Sequence, residues 1–193
     1  IEELTAEAKS LAKGGVKEII VIAQNTTDYG IDIYGKRSLA KLLTELSKIE
    51  DIHWIRLHYA YPEGIDDELI RVVADNPKIC KYLDIPIQHA NDTVLRRMGR
   101  RCTKSEMLKL FAKIRKEILD VTLRTSVISG FPGETAAQAE ELCEFIKEIR
   151  FDRLGAFSYS REEGTPAAKM DGQIDDYEKA ARTERLMKIQ SEI

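Results

Sequence analysis

The sequence has 193 residues with a formal net charge of −3, and 43% of the residues are hydrophobic. This length predicts one domain or at most two. The longest apolar run, residues 19–23, is far shorter than the roughly 20 residues that span a membrane, and the charge gives no reason to expect nucleic-acid binding by bulk electrostatics. The three cysteines exclude a disulfide scaffold, which favours a reduced, cytoplasmic protein.

Both ends of the chain are predicted to be helical. Leu4, Ala8, Leu11 and Ala12 recur at helical spacing, and the pattern over residues 177–193 is helical to the last residue. The start has neither an initiator methionine nor the basic and apolar regions of a signal peptide. We therefore expect a piece of a longer protein, with a processed mature chain as the alternative.

Five short apolar segments predict strands, and each is followed by polar, glycine or proline residues and then by a helical pattern. The predicted strands are 18–23, 54–59, 82–87, 122–128 and 153–159. The predicted helices between them are 36–49, 66–74, 91–98, 104–119 and 136–149. Thr103 and Thr135 each begin a capping box. The alternation of strands and helices predicts a parallel sheet.

Polar residues with period two in three of the strands favour a barrel over an open sheet. Strands of an open doubly wound sheet are buried on both faces and have continuous apolar runs, whereas Arg56, Asp84 and Arg124 need an interior that holds charges. We expect Asp84 to pair with one or both arginines, and the pairing to weaken or bulge at Pro86, which has no N–H. Five strands are too few for a complete barrel of about 250 residues. The predicted fold is therefore a partial α/β barrel with parallel strands, open at one side.

The C-terminal ends of the strands, where βα barrels place their functional groups, carry mainly amides, hydroxyls and glycines. Such residues suit the binding of a polar cofactor better than acid–base catalysis. The sequence has no nucleophile elbow, Walker A loop or H-E-x-x-H pattern. No carboxylate pattern completes a metal site with His58 and His89, and the cysteines have no cluster or zinc spacing, so no metal ligand is predicted.

The most specific of these strand ends is the turn Gly130-Phe131-Pro132-Gly133. Its two glycines allow a tight turn with the backbone close to a ligand. The turn opens onto a predicted helix N-terminus, which presents free N–H groups. An ordinary strand-to-helix turn is the alternative.

Four linked motifs resemble the radical S-adenosylmethionine (SAM) domain of methylthiotransferases. They are residues 23–30, 84–90, 123–125 with 130–134, and 157–166, and their order and spacing match from about Ile1 to the end of the chain. The resemblance implies that the five predicted strands are the second to sixth of a partial (βα)6 barrel of the TIM type.

Within that family, residues 23–30, 54–57 with 61–62, and 88–90 are most similar to the enzymes that methylthiolate the β-carbon of an aspartate. That aspartate belongs to the small-subunit ribosomal protein of the decoding centre. The sister enzymes that modify an adenosine of tRNA are the first alternative. A non-catalytic barrel that binds a protein partner through its open edge is the second.

The resemblance implies a transferase that uses SAM, two [4Fe-4S] clusters and an electron donor to insert a methylthio group at an unactivated C–H bond. The family's C-x-x-x-C-x-x-C motif is absent from this sequence, as are its first barrel strand, its auxiliary-cluster domain and its TRAM domain. We expect residues 1–174 to be a core barrel without its first strand, and residues 175–193 to be a helix that leads toward the TRAM domain. This piece alone should hold no cluster and be inactive.

The resemblance implies contacts to SAM from eight positions and assigns no catalytic residue. They are Gln24 and Asn25 for the methionine end, Gln88 and Arg124 for the ribose and carboxylate, Ser129, Gly130 and Phe131 for the adenine, and Tyr159 for the wall of the cavity. An ion pair with Asp84 is the rival role of Arg124, and a capping amide at the strand end is that of Gln24.

Overall fold

The computed structural model describes all 193 residues. The strands are β1 (Glu18–Val21), β2 (Trp54–Leu57), β3 (Ile79–Asp84), β4 (Thr122–Ser129) and β5 (Arg153–Ser158). The helices are α1 (Glu2–Lys13), α2 (Ile31–Tyr34), α3 (Leu39–Ser47), α4 (Asp67–Asp75), α5 (Asp92–Arg97), α6 (Lys104–Glu117), α7 (Ala136–Ile149) and α8 (Asp176–Ser191). The strands form one sheet in chain order, with β1 and β5 as its end strands. The predicted α/β fold is confirmed, and its sheet is not closed.

The largest difference between the predicted and observed elements is at β3. This strand begins at Ile79 and ends at Asp84, three residues earlier at each end than predicted. Its register with β2 is irregular between Ile55 and Leu57. Pro86 has no N–H to donate to a neighbouring strand, so regular pairing ends before it, as expected. The apolar residues just beyond Asp84 are buried without belonging to the strand.

The chain divides into two compact units, one formed by Ile1–Ile85 with Ala112–Thr122 and the other by Pro86–Phe111 with Leu123–Ile193. In the first unit, β1 and β2 pair in parallel from Glu18 opposite Trp54. The N-cap Asp66 accepts a hydrogen bond from the backbone N–H of Leu69 and so begins α4. The apolar core of this unit consists of Leu42, Leu43, Leu46, Ile55, Leu57, Leu69, Ile70 and Val73.

In the second unit, β4 and β5 pair in parallel with an unbroken register. Three buried phenylalanines pack edge to face or tilted, with the rings of Phe111 and Phe151 5.1 Å apart and Phe145 6.5 Å from each. Both predicted capping boxes are present, since Thr103 and Thr135 exchange hydrogen bonds with the residues three positions later. The boundaries of α7 are those predicted.

The charged residues predicted for the barrel interior are in part paired differently. Asp84 is buried, at 1% exposure, as expected. Its carboxylate lies 3.8 Å from His58, whereas Arg56 pairs with Glu18 at 2.7 Å and stacks over the Tyr82 ring. Arg56 therefore pairs with Glu18 and not with Asp84, because the β1–β2 register places Ile20 opposite Arg56 and Glu18 two residues away on the same strand. The pairing of Asp84 with Arg124 stays a prediction.

Candidate functional site

The turn that follows β4 is built around the carboxylate of Glu134. One of its oxygens, Oε2, accepts hydrogen bonds from the backbone N–H groups of Gly130 (2.7 Å) and Phe131 (3.2 Å). Gly130 and Gly133 have φ values of +74° and +75°, a region that side chains with a Cβ rarely adopt. The prediction that glycines shape this turn is confirmed, but two of its N–H groups point inward to Glu134 and are not free.

Two groups face the Glu134 side chain from other elements. Arg182 of α8 donates from Nη1 to Glu134 Oε1 at 3.0 Å and to its backbone oxygen at 3.1 Å. His89 Nε2 lies 3.8 Å from Oε2. Burial raises the pKa of the Glu134 carboxyl, while Arg182 and the two turn N–H groups oppose that shift. The arrangement keeps an acidic group fixed in a nearly solvent-free site.

His89 is fully buried and is neutral at pH 7, since burial lowers its pKa from 6.5 to about 4. Its Nδ1 accepts a hydrogen bond from the Asn91 backbone N–H at 2.9 Å. The ring proton is therefore on Nε2, which has no hydrogen-bond partner and faces Glu134. The contact between His89 and Glu134 is thus one of a neutral ring with a carboxylate, not an ion pair.

Both glycines of the turn are covered by long cationic side chains. A Cβ on Gly130 would overlap the Lys179 side chain of α8, and a Cβ on Gly133 would overlap the Arg97 guanidinium. Gly133 also donates its N–H to the backbone oxygen of Gly172 at 2.7 Å. The turn is therefore enclosed by its own unit, and its close approaches need glycine.

Aromatic and hydroxyl groups lie beside the turn. The rings of Phe131 and Tyr159 are 5.4 Å apart and nearly perpendicular, and Tyr159 donates its backbone N–H to the Ser129 oxygen at 2.8 Å. Ser129 Oγ and the Tyr159 hydroxyl are buried and have no hydrogen-bond partner within the protein. Buried polar atoms of this kind normally have a partner. The structure therefore brings Ser129, Gly130, Phe131 and Tyr159 together and leaves two of their polar atoms unsatisfied.

Gln88 and Arg124 are placed differently from these four residues. Gln88 bridges to Val127 of β4 with a left-handed backbone (φ +68°), and its side-chain amide makes no hydrogen bond within the protein. Arg124 pairs in register with Arg153, whereas Ser129 lies five residues farther along β4. At about 3.3 Å per residue that separation is about 16 Å. Arg124 is therefore not at the strand end where the other candidates gather.

Gln24 and Asn25 follow β1 in the first unit. Asn25 Oδ1 accepts hydrogen bonds from the backbone and hydroxyl of Thr27, at 3.2 and 2.7 Å, and its Nδ2 donates to Asp28 at 2.7 Å. Gln24 is exposed and makes no hydrogen bond. The capping amide of this strand end is thus Asn25, while the amide considered for that role, Gln24, is free.

Lys179 and Arg182 of the second unit were not predicted for the site. His89 was considered only as a metal ligand, and Glu134 was quoted only as part of a motif. The carboxylate of Glu134 just after a Gly-x-x-Gly turn was an available signal for an internal acceptor. Nothing in the polar pattern of α8 distinguishes Lys179 and Arg182 from solvent-facing residues. No group of three or more histidine, cysteine, aspartate or glutamate side chains is close enough to hold a metal ion.

The family model described as "Radical SAM superfamily" matches residues 1–146. The chain belongs to the radical SAM superfamily. It is 57% identical over 193 residues to the ribosomal protein uS12 methylthiotransferase RimO of Lachnoclostridium phytofermentans. The match covers 100% of this chain but 44% of that protein. It is 54% identical over 193 residues to RimO of Clostridium perfringens, covering 43% of it. The predicted resemblance is confirmed, and the chain spans less than half the length of these relatives.

Solved structures agree with a radical SAM fold at low sequence identity. Streptococcus suis SuiB has a TM-score of 0.65 at 16% identity, covering 99% of this chain and 40% of that one. Methylornithine synthase (PylB) has a TM-score of 0.63 at 15% identity, covering 98% and 53%. The Escherichia coli coproporphyrinogen III oxidase HemN, which is a radical SAM enzyme, has a TM-score of 0.64 and covers 80% and 36%. These matches support the fold alone.

Proposed function

We propose that this radical SAM chain is part of an enzyme that methylthiolates the β-carbon of an aspartate in ribosomal protein uS12. The observation that carries the proposal is the identity of 53–57% to RimO proteins over an alignment that covers the whole chain. Identity this high over the whole chain extends well beyond the fold, which neighbours at about 16% identity share. The substrate of the proposed reaction is therefore a protein side chain.

The exposed edge of β1 supports the proposal that residues 1–174 are a core barrel without its first strand. Ile20 and Ile22 are 52% and 61% exposed. They line an apolar cavity of about 400 Å³ between α1, β1 and α3. A further parallel strand at this edge would cover both side chains and satisfy the backbone of β1. In this proposal, residues 175–193, mainly α8, lead toward a TRAM domain.

SAM fits the residues gathered at the end of β4. The buried, unpartnered Ser129 Oγ and Tyr159 hydroxyl offer hydrogen bonds to a polar ligand, and the perpendicular Phe131 and Tyr159 rings offer an apolar wall. Gly130 and Phe131 contribute the path of the backbone, because their N–H groups bond to Glu134. These four residues are proposed for the adenine side of SAM.

Fewer observations support the contacts with SAM proposed for the other four residues. The unbonded amide of Gln88 supports its proposed contact to the ribose or carboxylate, and the exposed Gln24 is free to contact the methionine end. Asn25 shapes the loop beside Gln24 through its bonds to Thr27 and Asp28. Arg124 lies toward the start of β4, which favours its structural role over a contact with SAM.

A [4Fe-4S] cluster and an electron donor supply the radical chemistry when they are bound to the whole protein, and a second cluster supplies the sulfur. SuiB has been solved with SAM, and TsrM of Kitasatospora setae has been solved with a [4Fe-4S] cluster. The residues of this chain bind and orient SAM, and the enclosed turn keeps water away from it.

No helix of the chain is both long and apolar enough to cross a membrane. We place the reaction in the cytoplasm, without direct nucleic-acid binding by this part of the chain.

The proposal is tested by mass spectrometry in cells that carry or lack the whole gene. We expect uS12 to lose one methylthio group on an aspartate when the gene is deleted, and to regain it with the wild-type gene. Methylthio-adenosine in tRNA, measured in the same cells, should not change. Loss of the tRNA modification with uS12 unaffected would establish the sister activity and reject the proposal. If neither modification changes, the non-catalytic barrel is favoured.

A further inference from the structure

The two oxygens of the buried Glu134 carboxylate have separate partners. Oε2 faces the turn and accepts from Gly130 and Phe131, while Oε1 accepts from Arg182 of α8. The Glu134 side chain is fully buried and that of Arg182 is 14% exposed, so the pair is almost dry. A buried carboxylate that loses its cation is strongly destabilised. The conformation of the turn and the position of α8 therefore depend on each other.

Lys179 makes a second link from α8 to the same turn. Its stem occupies the space where a Cβ on Gly130 would lie. Its ammonium donates to the backbone oxygen of Tyr159 at 3.1 Å, lies 5.8 Å from the centre of the Tyr159 ring, and pairs with Asp176 at 2.6 Å. Lys179 and Arg182 are three residues apart and so share a helix face. One face of α8 thus holds both ends of the turn.

A neighbouring pair on α8 shows what an ordinary surface contact looks like here. Arg185 pairs with Glu140 of α7 at 2.5 Å, and both side chains are about half exposed. Such exposed pairs contribute little to stability. Arg182 differs because its partner is buried and is itself bonded to the turn.

We propose that Lys179 and Arg182 are positioning residues, a helix clamp that holds residues 130–134 in the conformation that binds SAM. This rests on the proposed function in one respect only, namely that SAM binds beside Gly130, Phe131 and Tyr159. The clamp itself rests on the contacts of α8. Neither residue is placed against SAM, so both act through the turn.

The test uses the full-length protein with its clusters reconstituted, as wild type and as the variants Arg182→Met, Arg182→Lys and Arg185→Met. Hydrogen exchange followed by mass spectrometry reports on the peptide 128–135, and equilibrium dialysis with labelled SAM gives its Kd. For Arg182→Met we expect exchange in this peptide to be about tenfold faster and the Kd to rise about tenfold, which corresponds to about 1.4 kcal/mol. Arg182→Lys retains the charge, so it should restore most of the slow exchange in this peptide and most of the affinity for SAM. Arg185→Met should resemble wild type.

The outcomes separate the clamp from the proposed function. Equal exchange in Arg182→Met and Arg185→Met would overturn the clamp. Faster exchange with an unchanged Kd for SAM would overturn the positioning role, as would a Lys variant no better than Met. If the wild-type protein binds SAM but leaves uS12 unmodified, the proposed substrate fails while the exchange and Kd comparisons still decide on the clamp.

Discussion

The loops that follow β1 and β4 both carry amides, hydroxyls and glycines, but they are held in different ways. After β1, Asn25 bonds to Thr27 and Asp28, its neighbours in the chain, and the buried Thr26 donates its hydroxyl to the backbone oxygens of His58 and Tyr59. After β4, Glu134 is buried and its cation, Arg182, lies 48 residues away. The first loop is held by neutral hydrogen bonds, both local and to the segment after β2, whereas the second depends on a buried ion pair. Changes in the second should therefore have larger effects, over a wider stretch of chain.

The largest expected effect is that of Gly130→Ala. Alanine at a φ of +74° costs about 1–2 kcal/mol. Overlap of the new Cβ with Lys179 costs about 1–3 kcal/mol more. We expect a loss of about 3 kcal/mol in the free energy of unfolding, measured by urea denaturation. Gly99 is the matched control, since it has the same φ of +74° but open space around it, and Gly99→Ala should cost about 1 kcal/mol. Equal losses would show that Lys179 does not enclose the turn.

The next effect is the dependence of stability on pH. The folded pKa of His89, about 4, is below its usual 6.5, so the unfolded chain binds more protons between these values. The contribution of His89 is present above pH 6.5 and is lost as the pH falls toward 4. Between pH 7.5 and pH 5 we expect it to cost about 2 kcal/mol.

The measurement compares wild type with His89→Asn, which keeps an acceptor for the Asn91 N–H, by urea denaturation at both pH values. The fall in stability should be smaller in this variant by about 2 kcal/mol. His53→Gln, at an exposed position of the first unit, should keep the wild-type fall. An unchanged fall in His89→Asn would contradict the burial of a neutral His89.

The smallest effect is expected after β1. Asn25→Ala removes the acceptor for the Thr27 N–H and hydroxyl and should cost about 1 kcal/mol of unfolding free energy, as the loss of a cap does. Gln24→Ala should stay within about 0.5 kcal/mol of wild type, because its side chain is exposed and makes no hydrogen bond. Thermal unfolding of the two variants side by side decides this. A larger loss for Gln24→Ala would reverse the assignment of the capping residue.

The features that local sequence determines could be predicted. Thr135 and Gln138 fix the start of α7 by their mutual hydrogen bonds, so its boundaries agreed with the prediction. Strand β3 was misplaced because its apolar residues continue past Asp84, although Pro86 ends the regular pairing. An apolar run shows what is buried, and Ile85 and Ile87 are buried without being in a strand. Composition does not distinguish a buried strand from a buried segment that lies outside any strand.

The partners of charged residues could not be predicted in the same way. Arg56 pairs with Glu18, 38 residues earlier, because the β1–β2 register places Ile20 opposite Arg56 and so brings Glu18, two residues before Ile20, within reach. Arg182 has the polar surroundings of a surface helix, and only the fold brings it to a buried carboxylate. The glycine pattern located the turn after β4, since these glycines are in the sequence itself. Its enclosure depends on residues for which the sequence has no local signal.

The distance along the chain between Glu134 and Arg182 has a consequence for synthesis. A ribosome makes the strand, the glycine turn and its acidic residue well before the helix that neutralises that acid. Until the helix emerges, the carboxylate has no cation to accompany it out of water, so the turn cannot close around it. The turn proposed to hold SAM can therefore reach its final conformation only after α8 has been made.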